Sequence, residues 1–334
     1  MITPASLTEL CDAVLSAPRV LAVGAQTKPR LCKVDAVKIS TLGLRGITEY
    51  EPSEFTFTAL AGTSLSEIIA TLAQSGQYLP FDPMLVDAGS TLGGVVASGL
   101  SGPGRFRFGG VRDFILGVRF VDGLGRLLRM GGKVVKNAAG FDLPKFFTGS
   151  LGRFGVLGEI TFKVFPRPPS TLTLQVTADA RTMIAAARSR WELDALDVLP
   201  DSNHLVMRLA GPDSALRAIA REILGKFPGE IISNDCWASL REFRWAHPNG
   251  VLLKAAITPD QIGSLLSTRC HISAGGNVAF ISLSSATELE SIHFDALTLR
   301  GDAPLWIGQR QRPAIEAAVK EALDPQNRFP SLDD

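Results

Sequence analysis

Three short stretches carry residue types that could hold a charged, flat ligand against the main chain. Val23-Gly24-Ala25-Gln26-Thr27-Lys28-Pro29 follows an apolar run, and a small-residue turn there exposes backbone N–H groups to an anion. The Thr27 hydroxyl and the Lys28 ammonium could complete a pyrophosphate cradle; an ordinary strand-to-loop turn would read the same way. Asp87 to Ser98 is denser. Gly89, Ser90, Thr91, Gly93, Gly94, Ala97 and Ser98 put small groups on every side of a turn and helix start, where N–H and hydroxyl donors can reach phosphate oxygens and a ring edge. Close helix packing through small residues is the alternative, but Ser and Thr alternating with glycine favour a ligand. Gly149-Ser150-Leu151-Gly152-Arg153-Phe154-Gly155-Val156-Leu157-Gly158-Glu159-Ile160 sets a glycine turn ahead of an apolar, β-branched run, a frame for main-chain bonds to a base or ring. Together they suit a dinucleotide held within touching distance of the backbone. The first loop is not a G-x-G-x-x-G fingerprint, so a Rossmann site is not supported there.

The elements that must position these stretches follow from periodicity. Residues 5–16 repeat apolar side chains at helical spacing and lead into a strand at 19–23. Strand patterns recur at 36–39, 46–50, 55–60, 114–121, 126–130 and 156–164. A helix over 64–74 opens with Ser64 and Glu67 as a capping box. The Pro-rich run 166–170 reads as a linker. Beyond it, strands and helices alternate at 171–176, 180–190, 205–209, 213–226, 251–257, 259–266 and 278–283, a second α/β unit.

The chain has 334 residues, 46% of them hydrophobic, enough for one large domain or two ordinary ones with a sizeable buried core. A formal net charge of +1 argues against a nucleic-acid footprint. Cys11, Cys32, Cys236 and Cys270 lack C-x-x-C spacing, so neighbouring thiols cannot assemble a zinc or iron–sulfur site. The N-terminus lacks a basic stretch ahead of its apolar residues, and no apolar run reaches membrane-spanning length. A cytoplasmic location is expected, with peripheral attachment at the inner face of a membrane left open.

In this order and spacing the three stretches resemble the FAD-binding family of vanillyl-alcohol oxidase and p-cresol methylhydroxylase, and within it the smaller FAD-binding subunits of bacterial glycolate oxidases. The resemblance rests on VGAQTKP, DAGSTLGGVVASGLSGPGRFRFGGVRDFILGV, KNAAGFDLPKFFTGSLGRFGVLGEITFKVFP and the tail Ala322-Leu323-Asp324-Pro325-Gln326-Asn327-Arg328-Phe329-Pro330. It implies an α+β chain: a two-subdomain FAD-binding domain of the p-cresol methylhydroxylase type at 1–168, a smaller α/β cap domain at 169–305, and a segment at 306–334 returning to the first domain. It implies that Gly24, Ala25, Gln26, Thr27 and Lys28, with Gly89, Ser90, Thr91, Gly93 and Gly94, hold the FAD pyrophosphate. Ala97, Ser98 and Gly109 would flank the isoalloxazine, and Gly155, Val156 and Ile160 would line the adenine end.

Departures from the family shape the rest. No His or Cys stands in the first loop, so the flavin is expected to be noncovalent. Catalytic relatives carry a metal and substrate segment like H-A-G-D-G-N-L-H; the nearest run here, Cys270-His271-Ile272-Ser273-Ala274-Gly275-Gly276-Asn277-Val278-Ala279, lacks its acid and last histidine. No metal site is expected. None of His204, His247, His271 and His293 is joined to another by metal-ligand spacing, and no catalytic residue can be assigned. Oxidising a 2-hydroxy acid also requires a cation for the carboxylate, for which Arg105, Arg107, Arg112, Lys133, Lys136 and Lys145 are candidates, each equally readable as a surface charge. The resemblance implies a noncovalent FAD subunit of a glycolate-oxidising complex, beside a larger FAD-binding catalytic subunit and an iron–sulfur subunit. A self-sufficient oxidoreductase for a small hydroxy acid such as D-lactate, and a flavin-stabilised assembly subunit without redox role, stay open.

Overall fold

Local sequence decides where the first elements begin. The Ser6 hydroxyl accepts the Glu9 N–H at 3.2 Å and the Glu9 carboxylate takes the Ala5 N–H at 2.9 Å. Helix α1 (Leu7–Leu15) therefore starts directly after that serine and turns Leu10, Ala13 and Val14 inward. Strands β1 (Val20–Val23) and β2 (Val37–Ser40) pair in parallel. The computed structural model describes residues 1–132, 142–177, 179–311 and 313–334. Lys133 and Lys136, and residues 136–141 of the KNAAGFDLPKFF segment, lie outside the described residues.

Next come β3 (Ile47–Glu51), β4 (Thr56–Leu60) and α2 (Leu65–Gln74). Ser64 caps α2 by accepting the Glu67 N–H at 3.2 Å. Strand β5 (Gln77–Tyr78), helices α3 (Leu92–Ser98) and α4 (Arg105–Phe108), strands β6 (Ile115–Val121) and β7 (Leu127–Gly131), helix α5 (Leu143–Phe146), and strands β8 (Val156–Lys163) and β9 (Phe165–Pro166) follow. Five of these strands form an antiparallel sheet in the order β3-β4-β8-β6-β7. Leu65, Ile68 and Leu72 of α2 and Leu92, Val95 and Val96 of α3 pack with Phe57, Phe120, Ile160 and Phe162 of that sheet. The Pro-rich run read as a linker is tied down: β9 pairs with β5, and the Arg167 N–H reaches the Gly76 carbonyl at 2.7 Å.

The second half folds as β10 (Ser170–Thr177), α6 (Ala180–Ala187), β11 (Ala195–Val198), β12 (His204–Gly211), α7 (Asp213–Lys226), β13 (Gly229–Ile232), α8 (Asp235–Arg241), β14 (Val251–Ala256), α9 (Ile262–Leu265), β15 (Cys270–Ser273), β16 (Val278–Leu283), β17 (Ala296–Arg300), β18 (Trp306–Ile307) and α10 (Ala314–Leu323). Its nine strands make one sheet, β13-β10-β12-β11-β15-β16-β14-β17-β18. The pairings are antiparallel. Strands β11, β13, β15, β17 and β18 escape the periodicity because they are short and, apart from β13 and β18, buried on both faces, which removes the alternation that marks a half-exposed strand.

Helices α6 and α7 cover one face of this sheet through Met183, Ala186, Leu216, Ala220 and Ile223. On the other, Leu252, Phe280, Leu297 and Leu299 pack with Met84, Leu85, Leu100 and Leu151 from the first half. That shared cluster fixes the two sheets relative to each other. A buried ion pair adds to it: Arg208 on β12 donates to Asp82 at 2.6 Å, and Asp82 also takes the Gly104 N–H at 2.7 Å. The C-terminal segment packs beside the first half, with Val319 and Leu323 among the five-stranded sheet's apolar residues and Phe329 beside Val14 and Val20. Asp324 is buried and takes the N–H groups of Arg328 and Phe329 and the Lys320 ammonium. No helix among the described residues is long and apolar enough to cross a membrane.

Candidate functional site

The end of β1 and the start of α3 are brought together by one close approach. A Cβ on Gly24 would stand 2.6 Å from Thr91 Oγ1, so only glycine lets the 24–28 loop lie against that hydroxyl. Thr91 needs the space, because its Oγ1 caps α3 by accepting the Gly94 N–H at 3.2 Å. Gly93 is pressed against the end of β4, where its Cβ would meet Ala61 at 2.9 Å and its N–H donates to the Ala61 carbonyl at 2.8 Å. Gln26 adopts a left-handed φ of 53°, uncommon for a residue with a side chain. Beyond it, Thr27 Oγ1 and Ser90 Oγ share a hydrogen bond of 3.0 Å.

These approaches form one wall of a cleft of about 720 Å3. The opposite wall is the loop after α5. Its Gly149 and Leu151 N–H groups donate to the carbonyls of Val96 and Ala97 at 3.0 and 2.8 Å. Gly99 and Gly149 nearly touch there, since a Cβ on Gly99 would be 3.3 Å from Gly149 Cα. Gly24, Ala25, Gln26, Thr27, Lys28, Thr91, Gly93, Gly94, Ala97, Ser98 and Gly155 all line the cleft.

The remaining candidates fall elsewhere. Gly89 and Ser90 do not line it, although Ser90 holds Thr27 from behind. Gly109 packs against Asp113 in the loop after α4. Val156 and Ile160 turn into the apolar cores beside Val14 and Phe57 respectively. Their side chains serve packing, and on this stretch Ser150, Leu151, Gly152 and Gly155 line the cleft. Sequence reasoning quoted Ser150 inside its motif without assigning it a role; Cys32, Thr41 and Ala61 gave no signal.

The donors of the cleft fit a pyrophosphate. Those at the start of α3 are already used, because the Gly93 and Gly94 N–H groups have protein acceptors. In the first loop, the backbone N–H groups of Ala25, Gln26, Thr27 and Lys28 meet no acceptor among the described residues. Four successive free amides in a tight turn make an anion-binding concavity. Lys28 lies beside them, 7% exposed, and its ammonium donates only to Thr27 Oγ1 at 3.0 Å. No carboxylate pairs with it among the described residues, and burial pushes its pKa down from 10.5 to about 8. A buried cation without a counterion is costly, and an anionic ligand supplies the missing charge. Across the cleft Ser150 Oγ is buried without a partner. Behind the loop Arg153 is fully buried, donating to the Leu31 carbonyl at 3.3 Å, with burial lowering its pKa to about 10. Cys32 stands at the cleft wall, and burial pushes its thiol pKa up.

A second, open cavity of about 1690 Å3 meets the first at Ser98. Its walls come from α3, α4 and the following turn on one side and from β14 and β17 on the other, and include Arg105, Arg112 and Lys254. Of the candidate cations among the described residues, Arg107 and Lys145 lie elsewhere. Arg107 is engaged with Glu192 and Asp194, and Lys145 with Asp142. His271 is fully buried, its Nε2 2.7 Å from Asp197, with Phe280 stacked on the ring. No cluster of three metal-ligating side chains occurs among the described residues.

Comparison with known proteins agrees with this chemistry. Residues 1–131 match the family described as FAD binding domain. The chain is 42% identical over 201 residues to glycolate oxidase subunit GlcE of Escherichia coli (strain K12), covering 59% of this chain and 56% of that protein. It is 30% identical over 154 residues to glycolate oxidase subunit GlcD of Bacillus subtilis (strain 168), covering 46% of this chain and 32% of that one. The matches thus span little more than half, and about a third, of these two relatives. Among solved structures, alkyldihydroxyacetonephosphate synthase superposes with a TM-score of 0.66 at 16% identity, over 98% of this chain and 74% of that one. The fold is the mixed helix-and-sheet fold of that enzyme, and the cofactor of the first half is FAD.

Proposed function

We propose that this chain is the noncovalent FAD-binding subunit of a multi-subunit enzyme that oxidises glycolate or a related small 2-hydroxy acid. The observation that carries the reading is the cleft at 24–28: four free amides and a buried, unpaired Lys28 ammonium, in a segment matching an FAD binding domain. The domains are 1–168 for the cofactor, 169–305 as a cap, and 306–334 returning to the first, a division supported by the packing of Val319 and Leu323 beside the five-stranded sheet.

The loop amides and Lys28 bind the pyrophosphate. Ala97, Ser98 and Ser150 offer small walls and hydroxyls to the ring system. FAD, when bound, supplies a two-electron acceptor for a hydride. The cap sheet reaches the cavity beyond Ser98 through Lys254 to Ala256 and Asp295 to Leu297. Cys32 is the one thiol on the cleft wall, and a raised pKa keeps it protonated and a poor nucleophile, which supports a noncovalent flavin.

The subunit designations of the two relatives support a multi-subunit complex, in which the partner would be a larger FAD-binding catalytic subunit. An iron–sulfur subunit would carry the electrons onward, and any membrane attachment would run through the complex. The purified chain should be yellow and should release FAD on acid precipitation. Anaerobic glycolate should bleach it once the larger flavoprotein is added. Absence of FAD from both the isolated chain and the reconstituted complex would refute the reading.

A further inference from the structure

We infer that this chain carries its own receptor for a small carboxylate, in the cavity beyond Ser98, with Lys254 as the group that takes the anion. Strand β14 reads Val251-Leu252-Leu253-Lys254-Ala255-Ala256, one charge in an otherwise apolar strand that sits between β16 and β17. Alternation along the strand puts Lys254 on the face of Leu252, the face whose cluster joins the first half of the chain. A lysine there is expensive unless its charge is answered.

The protein does not answer it. The Lys254 ammonium donates to the Gly99 carbonyl at 3.2 Å, and no carboxylate pairs with it among the described residues. Burial, and after it the nearby like charge of Arg105, lowers its pKa to about 8. Arg105 lines the same cavity and has no acidic partner among the described residues. Two acids also stand on these walls, Asp113 accepting the Gly110 N–H at 2.9 Å and Asp295 the Gln309 N–H at 2.8 Å, and among the described residues neither pairs with Lys254 or Arg105. Arg310 is held by Glu316 and Asp333, and Arg112 stands exposed on the Arg105 side. A second observation points the same way: Thr148 Oγ1, also on the cavity wall, is enclosed and unpartnered.

Two unanswered cations and an idle hydroxyl around one opening suit a carboxylate, which takes charge-assisted bonds from the cations. Because Ser98 belongs to both cavities, the anion is held at one end of the cofactor cleft. The inference rests on the FAD reading for its consequence, that this chain's own flavin meets a substrate and does more than relay electrons. The receptor itself is a property of Lys254, Arg105 and Thr148.

The test is titration of the purified full chain with oxalate, a carboxylate that has no hydride to give, followed by calorimetry and by the flavin absorption bands. Wild type should bind saturably with a shift of the bands. Lys254→Met should weaken binding about 10- to 100-fold, the loss expected for a charge-assisted hydrogen bond, with flavin content unchanged; Lys254→Arg should recover part of it. Arg105→Gln, on an exposed position, should weaken binding several-fold and guards against a folding defect at 254. Oxalate affinity unaltered in Lys254→Met, or no binding to flavin-loaded wild type at millimolar oxalate, overturns the inference while leaving the cofactor assignment standing. Oxalate binding by a preparation that never takes up FAD would sustain the receptor and sink the cofactor reading.

Discussion

Replacing Lys28 by methionine should stabilise the flavin-free protein and at the same time weaken its hold on FAD. Methionine keeps the length and apolar stem of lysine but removes an ammonium that has only the Thr27 hydroxyl for company. A pKa unit corresponds to about 1.4 kcal/mol, so the drop from 10.5 to about 8 means that holding this charge costs the flavin-free fold about 3 kcal/mol. The cost is complete below pH 8, where folded and unfolded chains both carry the proton. Between about pH 8 and 10.5 the folded state sheds its proton first, the unfolded state binds more protons, and stability rises with pH. Urea denaturation of the flavin-free proteins should therefore show Lys28→Met ahead of wild type at pH 7, with the gap closing towards pH 10.5. In the presence of saturating FAD the gap should shrink or close, because a charge-assisted bond to the pyrophosphate, worth about 1.5–3 kcal/mol, offsets most of that cost in wild type. Fluorescence titration should then give a dissociation constant about 10- to 100-fold larger for the variant. A variant that is less stable without flavin and equally tight for FAD would refute the placement of Lys28 against the cofactor.

Three further outcomes follow from the same geometry. Gly94→Trp should abolish flavin binding while leaving the circular dichroism spectrum intact, because the only neighbour its Cβ would meet is Thr91 Oγ1 at 3.1 Å and the rest of the side chain must enter the cleft. Asp82→Ala should destabilise the protein by about 3–5 kcal/mol in chemical denaturation, since it leaves the Arg208 guanidinium buried and unpaired. Oxalate affinity should fall as pH rises through about 8 in wild type, following deprotonation of Lys254, and should lose that dependence in Lys254→Arg.

How much of this could be read from the sequence depended on the distance over which the physics acts. Helix α7 was legible to the residue because Leu216, Ala220 and Ile223 repeat on one face, and α2 announced itself through Ser64. The loops that line the cleft were legible for the same reason: a glycine at 24 and small residues at 91–98 are local signals. The donors were not, since Gly93 and Gly94 spend their N–H groups inside the protein and the amides without an acceptor are those of 25–28. Strand β11 hid behind Asp197, a charge that looks out of place in a buried strand until His271, Ser273 and the Ala274 N–H are seen converging on it. Lys254 was invisible as a site residue because everything that makes it unusual comes from Gly99 and Arg105, about 150 positions earlier in the chain. Val156 and Ile160 were expected at the ligand through the family resemblance, yet their side chains lie in the apolar cores, where a β-branched residue on a central strand packs well.

The most direct measurement of the central claim is the cofactor content of the purified full-length chain, read from its visible spectrum and from chromatography of what acid precipitation releases. The cleft built by residues 24–28, 91–98 and 149–155 requires one FAD per chain, released intact into the supernatant. A colourless chain that takes up no FAD when the cofactor is added, or a flavin that stays with the precipitate, would contradict it.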